Sequence, residues 1–517
     1  MIGLLMTGRN VVMERSGAVN ADAKAPPSSP TGRETGALDR TLMRGLAWTG
    51  AVKWLSQILS WVSTIVVARL LTPEDYGIVA MAGVFVGLIG LLNEFGLGAA
   101  VVALRQLTDE QISGMHSLAS LFGVCGFLLS CLVAIPAGRF YAASDVPLVI
   151  VVMGVGFAFL AMRSVPSALL EKALRFKLLA FLEGGQAMLA TLTTLGLAWW
   201  GAGYWALVVG GIVGHVAVTV IFLSYHPVRY GWPSLRSLHE ALRFSSHVLV
   251  GRITWYVASS ADVFIAGRIL GQGVVGAYSF ACTMASLPLD KITALLSRVM
   301  PAFYSSVQTD PAVLRRYLLL LTEGLALLTF PIGVGVALVA HAFVPLVLGE
   351  KWLGVVVPLQ VLSCWAVFRS MFGLITPILF VTGGSRLTML SGVFCMVAYP
   401  LAFWIGSGWG ALGIALAWVA VQPPSWVAPY WYALRALNLS FREYLSVLWP
   451  AVTSTVIMAG AVYSVRQVFP ADSSLIFQLS CEAAAGAAVY SAIIVVFHRA
   501  RLSQFLALVR GAQSSLA

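Results

Sequence analysis

Lys53 and Arg252 are two cations set inside long apolar runs, 199 residues apart. After Lys53 come Ser56, Gln57, Ser60, Ser63 and Thr64, at steps that keep all of them on one face of a helix. Adding the same 199 residues to each gives Arg252, Trp255, Tyr256, Ser259, Asp262 and Val263, five of which are again polar or amphipathic. In lipid such a stripe must face a bundle interior or a wet cavity. A cation on it can hold an anionic headgroup through a charge-assisted hydrogen bond; alternatively it snorkels to the interface as an anchor. Asp262 lies about 15 Å along the stripe from Arg252. It reads either as a proton or cation site or as a structural carboxylate satisfied by a neighbouring hydroxyl.

Other polar residues in apolar runs are weaker signals. Arg163 and Arg369 each end an apolar run, are followed by serine and precede a proline, Pro166 or Pro377. They form a second symmetric cavity pair, though the offset slips to 206, or they are anchors. Glu94, Glu183, Asp290, Glu323 and Glu482 are scattered, and each is expected to serve a local hydrogen bond. Trp199, Trp200, Tyr204 and Trp409 stand where interfacial anchors belong. Enzyme motifs fail on inspection. "HEALR" at His239 lacks the second histidine of a zinc protease, and "GVGVAL" at Gly333 lacks the third glycine of a dinucleotide loop. No P-loop is present. No catalytic residue, metal site or cofactor is expected.

The elements that must position these residues follow from composition. Of 517 residues 59% are hydrophobic and 10% charged, against about 25% charged in soluble domains, so the chain belongs in a bilayer. A net charge of +11 fits cationic cytoplasmic loops better than nucleic acid, since no basic-aromatic run is present. The six cysteines each lie in an apolar run without C-x-x-C spacing and read as small buried hydrophobes. Residues 1–40, rich in Pro, Ser, Gly and mixed charge, are expected to be a disordered cytoplasmic tail rather than a signal peptide, with the start at Met1 or a later methionine.

Apolar runs of about 20 residues predict an all-α integral membrane protein with about 14 spans, roughly 46–70, 76–96, 114–137, 147–164, 178–200, 203–225, 245–270, 276–298, 317–346, 352–380, 386–407, 409–432, 445–467 and 475–497. With the N-terminus inside, 23 of the 32 Lys and Arg fall on the cytoplasmic side and only Arg69, Arg139, Arg268, Lys351 and Arg466 outside, which puts both termini in the cytoplasm. Lys53 then lies about 24 Å of helix below Arg69, at the level of the inner leaflet's headgroups.

The loop after the first span is also written twice. "VARLLTPEDYGIVAMAG" from Val67 and "AGRILGQGVVGAYSFAC" from Ala266 align Arg69 with Arg268, Leu71 with Leu270 and Gly77 with Gly276. Six crossings separate the copies, so both run the same way. The reading is two parallel six-helix lobes, 41–225 and 245–432, joined by a linker at 226–244, with two further helices in 433–498 and a cytoplasmic tail at 499–517. That is a transporter architecture, with the path between the lobes.

The chain resembles the Wzx-type polysaccharide flippases of the multidrug/oligosaccharidyl-lipid/polysaccharide exporter superfamily, in the colanic acid and succinoglycan branch. The stretches that carry this are "GAVKW" at Gly50, "VARLLTPEDYGIVAMA" at Val67, "ALLEKALRFK" at Ala168, "GRILGQGVVGAYSFA" at Gly267, "RVMPAF" at Arg298, "FVPLVLGEKW" at Phe343 and "GWGALGIALAW" at Gly408. The resemblance implies a cargo, an undecaprenyl-diphosphate-linked oligosaccharide flipped to the periplasmic leaflet of the bacterial inner membrane. It also implies polysaccharide polymerase and chain-length machinery as partners. Lys53 matches the family's first-span pattern, whereas Arg252 rests on the internal repeat alone. Diphosphate contact is thus expected at Lys53 and Arg252, with Gln57, Ser60, Tyr256, Ser259, Asp262, Arg163 and Arg369 lining the cavity. Competing readings are a peptidoglycan-precursor flippase, a small-molecule exporter and, in another class, a membrane glycan polymerase or ligase. The last would want a large outward loop, and no outward loop here exceeds roughly ten residues.

Overall fold

The computed structural model describes residues 60–94, 98, 101, 107–173, 175–225, 228–232, 239–308, 310–469 and 473–499. Lys53, Ser56, Gln57 and the expected tail 1–40 lie outside the described residues, as does all of the expected C-terminal tail except Arg499.

Every described regular element is helical. They are α1 (Ser60–Leu70), α2 (Pro73–Glu94), α3 (Asp109–Tyr141), α4 (Val146–Lys172), α5 (Phe176–Trp199), α6 (Trp205–Tyr225), α7 (His239–Ser306), α8 (Pro311–Phe343), α9 (Val356–Val381), α10 (Ser385–Gly406), α11 (Gly410–Ala436), α12 (Phe441–Val468) and α13 (Leu475–Phe497). Short π and 3-10 turns, Val344–Leu348 and Glu350–Val355, join α8 to α9.

Local sequence accounts for the ends. Thr108 opens α3 with a capping box: its hydroxyl accepts from the Gln111 N–H, and the Gln111 side chain accepts from the Thr108 N–H. Ser440 and Glu443 do the same for α12. Prolines stand inside α3, α4 and α8 to α12, where neighbouring helices offset the lost backbone bond.

Eleven of the described stretches are long and apolar enough to cross a membrane, fewer than the fourteen expected. Two stretches each cover two expected spans. Residues 252–293 run through α7, and residues 385–436 run through α10, a 3-10 turn and α11. In both, the chain turns within the stretch, at Gly271 and at residues 407–409, so each stretch holds two helices and the number of stretches is not the number of spans. The first expected span is described only from Ser60.

The outer surface is itself apolar, with Leu132, Phe181, Val427 and Val496 each at least two-thirds exposed. A patch of this extent has no place in water, and the chain is a multi-pass membrane protein. The cysteines depart from expectation: only Cys395 is buried, Cys125 is exposed, and the other four are half-buried. Neighbours in sequence pair in space as α3 with α4, α5 with α6, α10 with α11 and α12 with α13. The largest core joins α2, α7, α8, α9, α10 and α11.

Candidate functional site

The repeated loop is where the two halves of the chain meet. In the first copy the chain turns at Thr72, whose N–H and hydroxyl donate to Asp75 Oδ2 at 2.8 and 3.0 Å, and α2 starts at Pro73. The other oxygen of Asp75 accepts the Tyr204 N–H, at the turn between α5 and α6, at 2.9 Å. In the second copy the residue equivalent to Thr72 is Gly271. It turns the chain with φ 79°, a left-handed conformation that favours glycine, and breaks α7 in two.

The next positions of the two copies touch reciprocally. A Cβ on Gly77 would strike the carbonyl oxygen of Gln272, and one on Gly276 would strike that of Pro73. Pro73 and Gln272 are equivalent in the repeat, as are Gly77 and Gly276. Each copy therefore presents its glycine to the other's backbone, as in an isologous interface.

Further ties surround this crossing. Trp352, fully buried, donates its indole N–H to Ala68 O at 2.8 Å, and Lys351 Nζ donates to Arg69 O at 2.8 Å. Both satisfy carbonyls that the end of α1 leaves open. The Tyr76 ring packs edge-on against Phe280 and Trp352, with centroids 5.2 and 5.3 Å away. Arg268 lies over the Phe140 ring, which stacks on Phe264. Tyr256, from the expected polar stripe, donates its hydroxyl to Gly83 O and Val84 O, both at 3.0 Å. Gly87 leaves the room its ring needs. Tyr256 thus joins α7 to α2.

The remaining stripe residues are placed as follows. Arg252 and Trp255 are exposed, and Ser60 and Ser259 are half-buried. The Ser60 carbonyl accepts from Thr64 Oγ1 at 2.8 Å, and Ser259 Oγ donates to Tyr256 O at 3.2 Å. Asp262 is 5% exposed. It accepts from the Tyr278 hydroxyl at 2.8 Å, which in turn accepts the Trp418 indole N–H at 2.8 Å. Asp262 is therefore tied into a chain that crosses from α7 to α11, the hydroxyl partner foreseen for a structural role.

Arg163 and Arg369 do not share a kind of partner. Arg163 on α4 donates to Gln186 on α5 at 2.5 Å, and Gln186 Nε2 lies 3.0 Å from His215 Nδ1 on α6. Arg369 on α9 pairs with Asp290 on α7 at 2.9 Å, donates to Ser286 at 3.1 Å and lies over the Trp365 ring at 5.1 Å. Gln186 and His215 escape a reading of single spans, because their partner lies on another helix. Asp290 has a partner 79 residues away rather than a local one, and among the described residues neither buried oxygen of Glu482 has a hydrogen-bond partner. A cavity of about 540 Å³ between α8, α9 and α11 is lined by Val361, Phe368, Val419 and Trp426 among others, and by none of the predicted site residues.

Comparison with known proteins fits this architecture. The family of polysaccharide biosynthesis proteins matches residues 66–357, more than half of the chain. The lipopolysaccharide biosynthesis protein WzxC of Escherichia coli (strain K12) is 26% identical over 418 residues, covering 78% of this chain and 83% of its own. The succinoglycan biosynthesis transport protein ExoT of Rhizobium meliloti (strain 1021) is 23% identical, covering 91% and 96%. Among solved structures, the lipid II flippase MurJ in an inward closed conformation superposes with a TM-score of 0.72 at 14% identity, covering 88% of this chain and all of that one, which shows a shared fold. The chain belongs to the polysaccharide biosynthesis protein family, in the all-helical membrane fold of that flippase.

Proposed function

We propose that this protein is a flippase that moves undecaprenyl-diphosphate-linked oligosaccharide units from the cytoplasmic to the periplasmic leaflet of the bacterial inner membrane, with both termini cytoplasmic. The observation that carries this reading is a conjunction: a polysaccharide-biosynthesis family match on a fold shared with a lipid flippase. The lobes 41–225 and 245–432 move as two bodies, and the crossing of Gly77 with Gly276 closes the periplasmic end. Lys53 and Arg252 meet the diphosphate at the cytoplasmic level, and Arg163 and Arg369 supply positive charge within each lobe. The product feeds the periplasmic polymerase and chain-length machinery; the protein itself makes and breaks no covalent bond.

The test is a deletion strain with its glycan lipids quantified separately in the two leaflets. Accumulation of complete lipid-linked units in the cytoplasmic leaflet, restored to normal by the intact gene, is the expected result. Unchanged leaflet distribution, or accumulation of peptidoglycan precursor instead, sinks this reading.

A further inference from the structure

Glu482 lies on α13, one of the two helices beyond the repeat. Its side chain is 1% exposed, and among the described residues neither carboxyl oxygen meets a hydrogen-bond donor. Across the interface stands His341 on α8, whose Nε2 lies 3.6 Å from Oε1. The two helices pack together here, and Tyr490, two turns further along α13, donates to Leu327 O of α8 at 2.6 Å. Glu482 is thus enclosed by protein, while the His341 side chain is 21% exposed.

The second ring nitrogen settles what Nε2 can do. His341 Nδ1 lies 2.9 Å from Leu338 O. A carbonyl oxygen only accepts, so Nδ1 carries a hydrogen and Nε2 is the atom that gains or loses one. An ionised carboxylate facing the bare lone pair of Nε2 would leave an unpaired charge at hydrocarbon depth, which membrane proteins avoid. One proton between the two groups removes the conflict. It makes either a carboxylic acid donating to Nε2 or an imidazolium donating to the carboxylate, and both pairs are neutral. A direct bond needs an approach of about half an ångström, within reach of side-chain rotation.

We propose that Glu482 and His341 form a proton-binding site that holds α13 against α8. Glu482 is seven residues from Leu475 and His341 seven from Leu348, the near ends of their stretches. Each is therefore about 10 Å deep, from the end that carries Arg69. Around this level the packed helices offer Arg466 and Tyr463 of α12, both exposed, Cys481 on α13 itself and Cys364 of α9. Arg268 of α7 is engaged with Phe140. Among the described residues, none of these hydrogen-bonds or ion-pairs with Glu482.

The site stands independently of the cargo, so its test needs no transport. The full-length protein in lipid nanodiscs is titrated with protons alone and followed by infrared difference spectroscopy. A second measurement compares the melting temperatures of the variants at one pH. Wild type should show a one-proton transition in the carboxyl region. Glu482→Gln, whose amide can donate to Nε2 without a proton, should lack the transition and keep the helices tied, read as an unchanged melting temperature. His341→Gln should shift the transition, and it stands in if Glu482→Gln does not fold. Wild-type and variant spectra that superimpose over the whole titration overturn the proposal.

Discussion

Arg252 separates binding from anchoring, because its two neighbours in size and polarity make different forecasts. A guanidinium holding a diphosphate makes charge-assisted bonds, each worth about 1.5–3 kcal/mol. Arg252→Gln should therefore cut polysaccharide export by roughly 10- to 150-fold, with membrane levels unchanged on a blot. Arg252→Lys should keep part of the activity, because charge survives and the bidentate fork does not. Lys53→Ala should be similar or milder. A snorkelling anchor tolerates all three, so full export from Arg252→Gln removes the residue from the binding site. Trp352 carries a separate expectation. Its indole N–H is bonded to Ala68 O in a buried setting, and Trp352→Phe leaves that carbonyl unpaired at a cost of about 1–3 kcal/mol, visible as a lower melting temperature in detergent.

Among the elements, the crossing of α2 and α7 allows the least substitution. A valine at Gly276 meets the Pro73 backbone, which cannot swing aside as a flexible side chain would. Overpacking of this kind costs about 1–3 kcal/mol, so the closed state should lose about 5- to 150-fold in population. In a cysteine-less background, Leu71→Cys (a buried position) should be protected from thiol reagent, and Gly276→Val should expose it while export falls. Gly77→Val should act alike, and the double variant should add little, since both block one contact. The turn itself was legible in the sequence, because Leu71 to Gly77 is written again at Leu270 to Gly276. That the copies meet was not, since nothing in either copy names its neighbour. The same holds for Arg163, whose partner Gln186 is 23 residues away on another helix. It holds for Glu482, where a local bond was expected and a histidine 141 residues away is what it faces.

The proposed orientation of the whole molecule rests on the asymmetry of its Lys and Arg residues. Cysteines substituted at Arg69, Arg268 and Lys351 should react with an impermeant thiol reagent in intact cells, and cysteines within 226–243 should not; labelling of that linker from outside inverts the topology. Deleting residues 1–35 should leave export intact, and a loss at normal protein levels gives the tail a role. Helical class and membrane residence could be read from composition, whereas the sharpness of the turn at Gly271, which divides α7 without a loop, could not. The reciprocal glycine contact also sets a timetable. Gly77 leaves the ribosome 199 residues ahead of Gly276, which at 5–20 residues per second is about 10–40 s. For that interval α2 is already made while the backbone it must lie against does not exist. Its bare glycine face has only lipid or the insertion machinery to cover it, so the nascent first half is the stage at which this protein is open to mispairing with a stranger's helix.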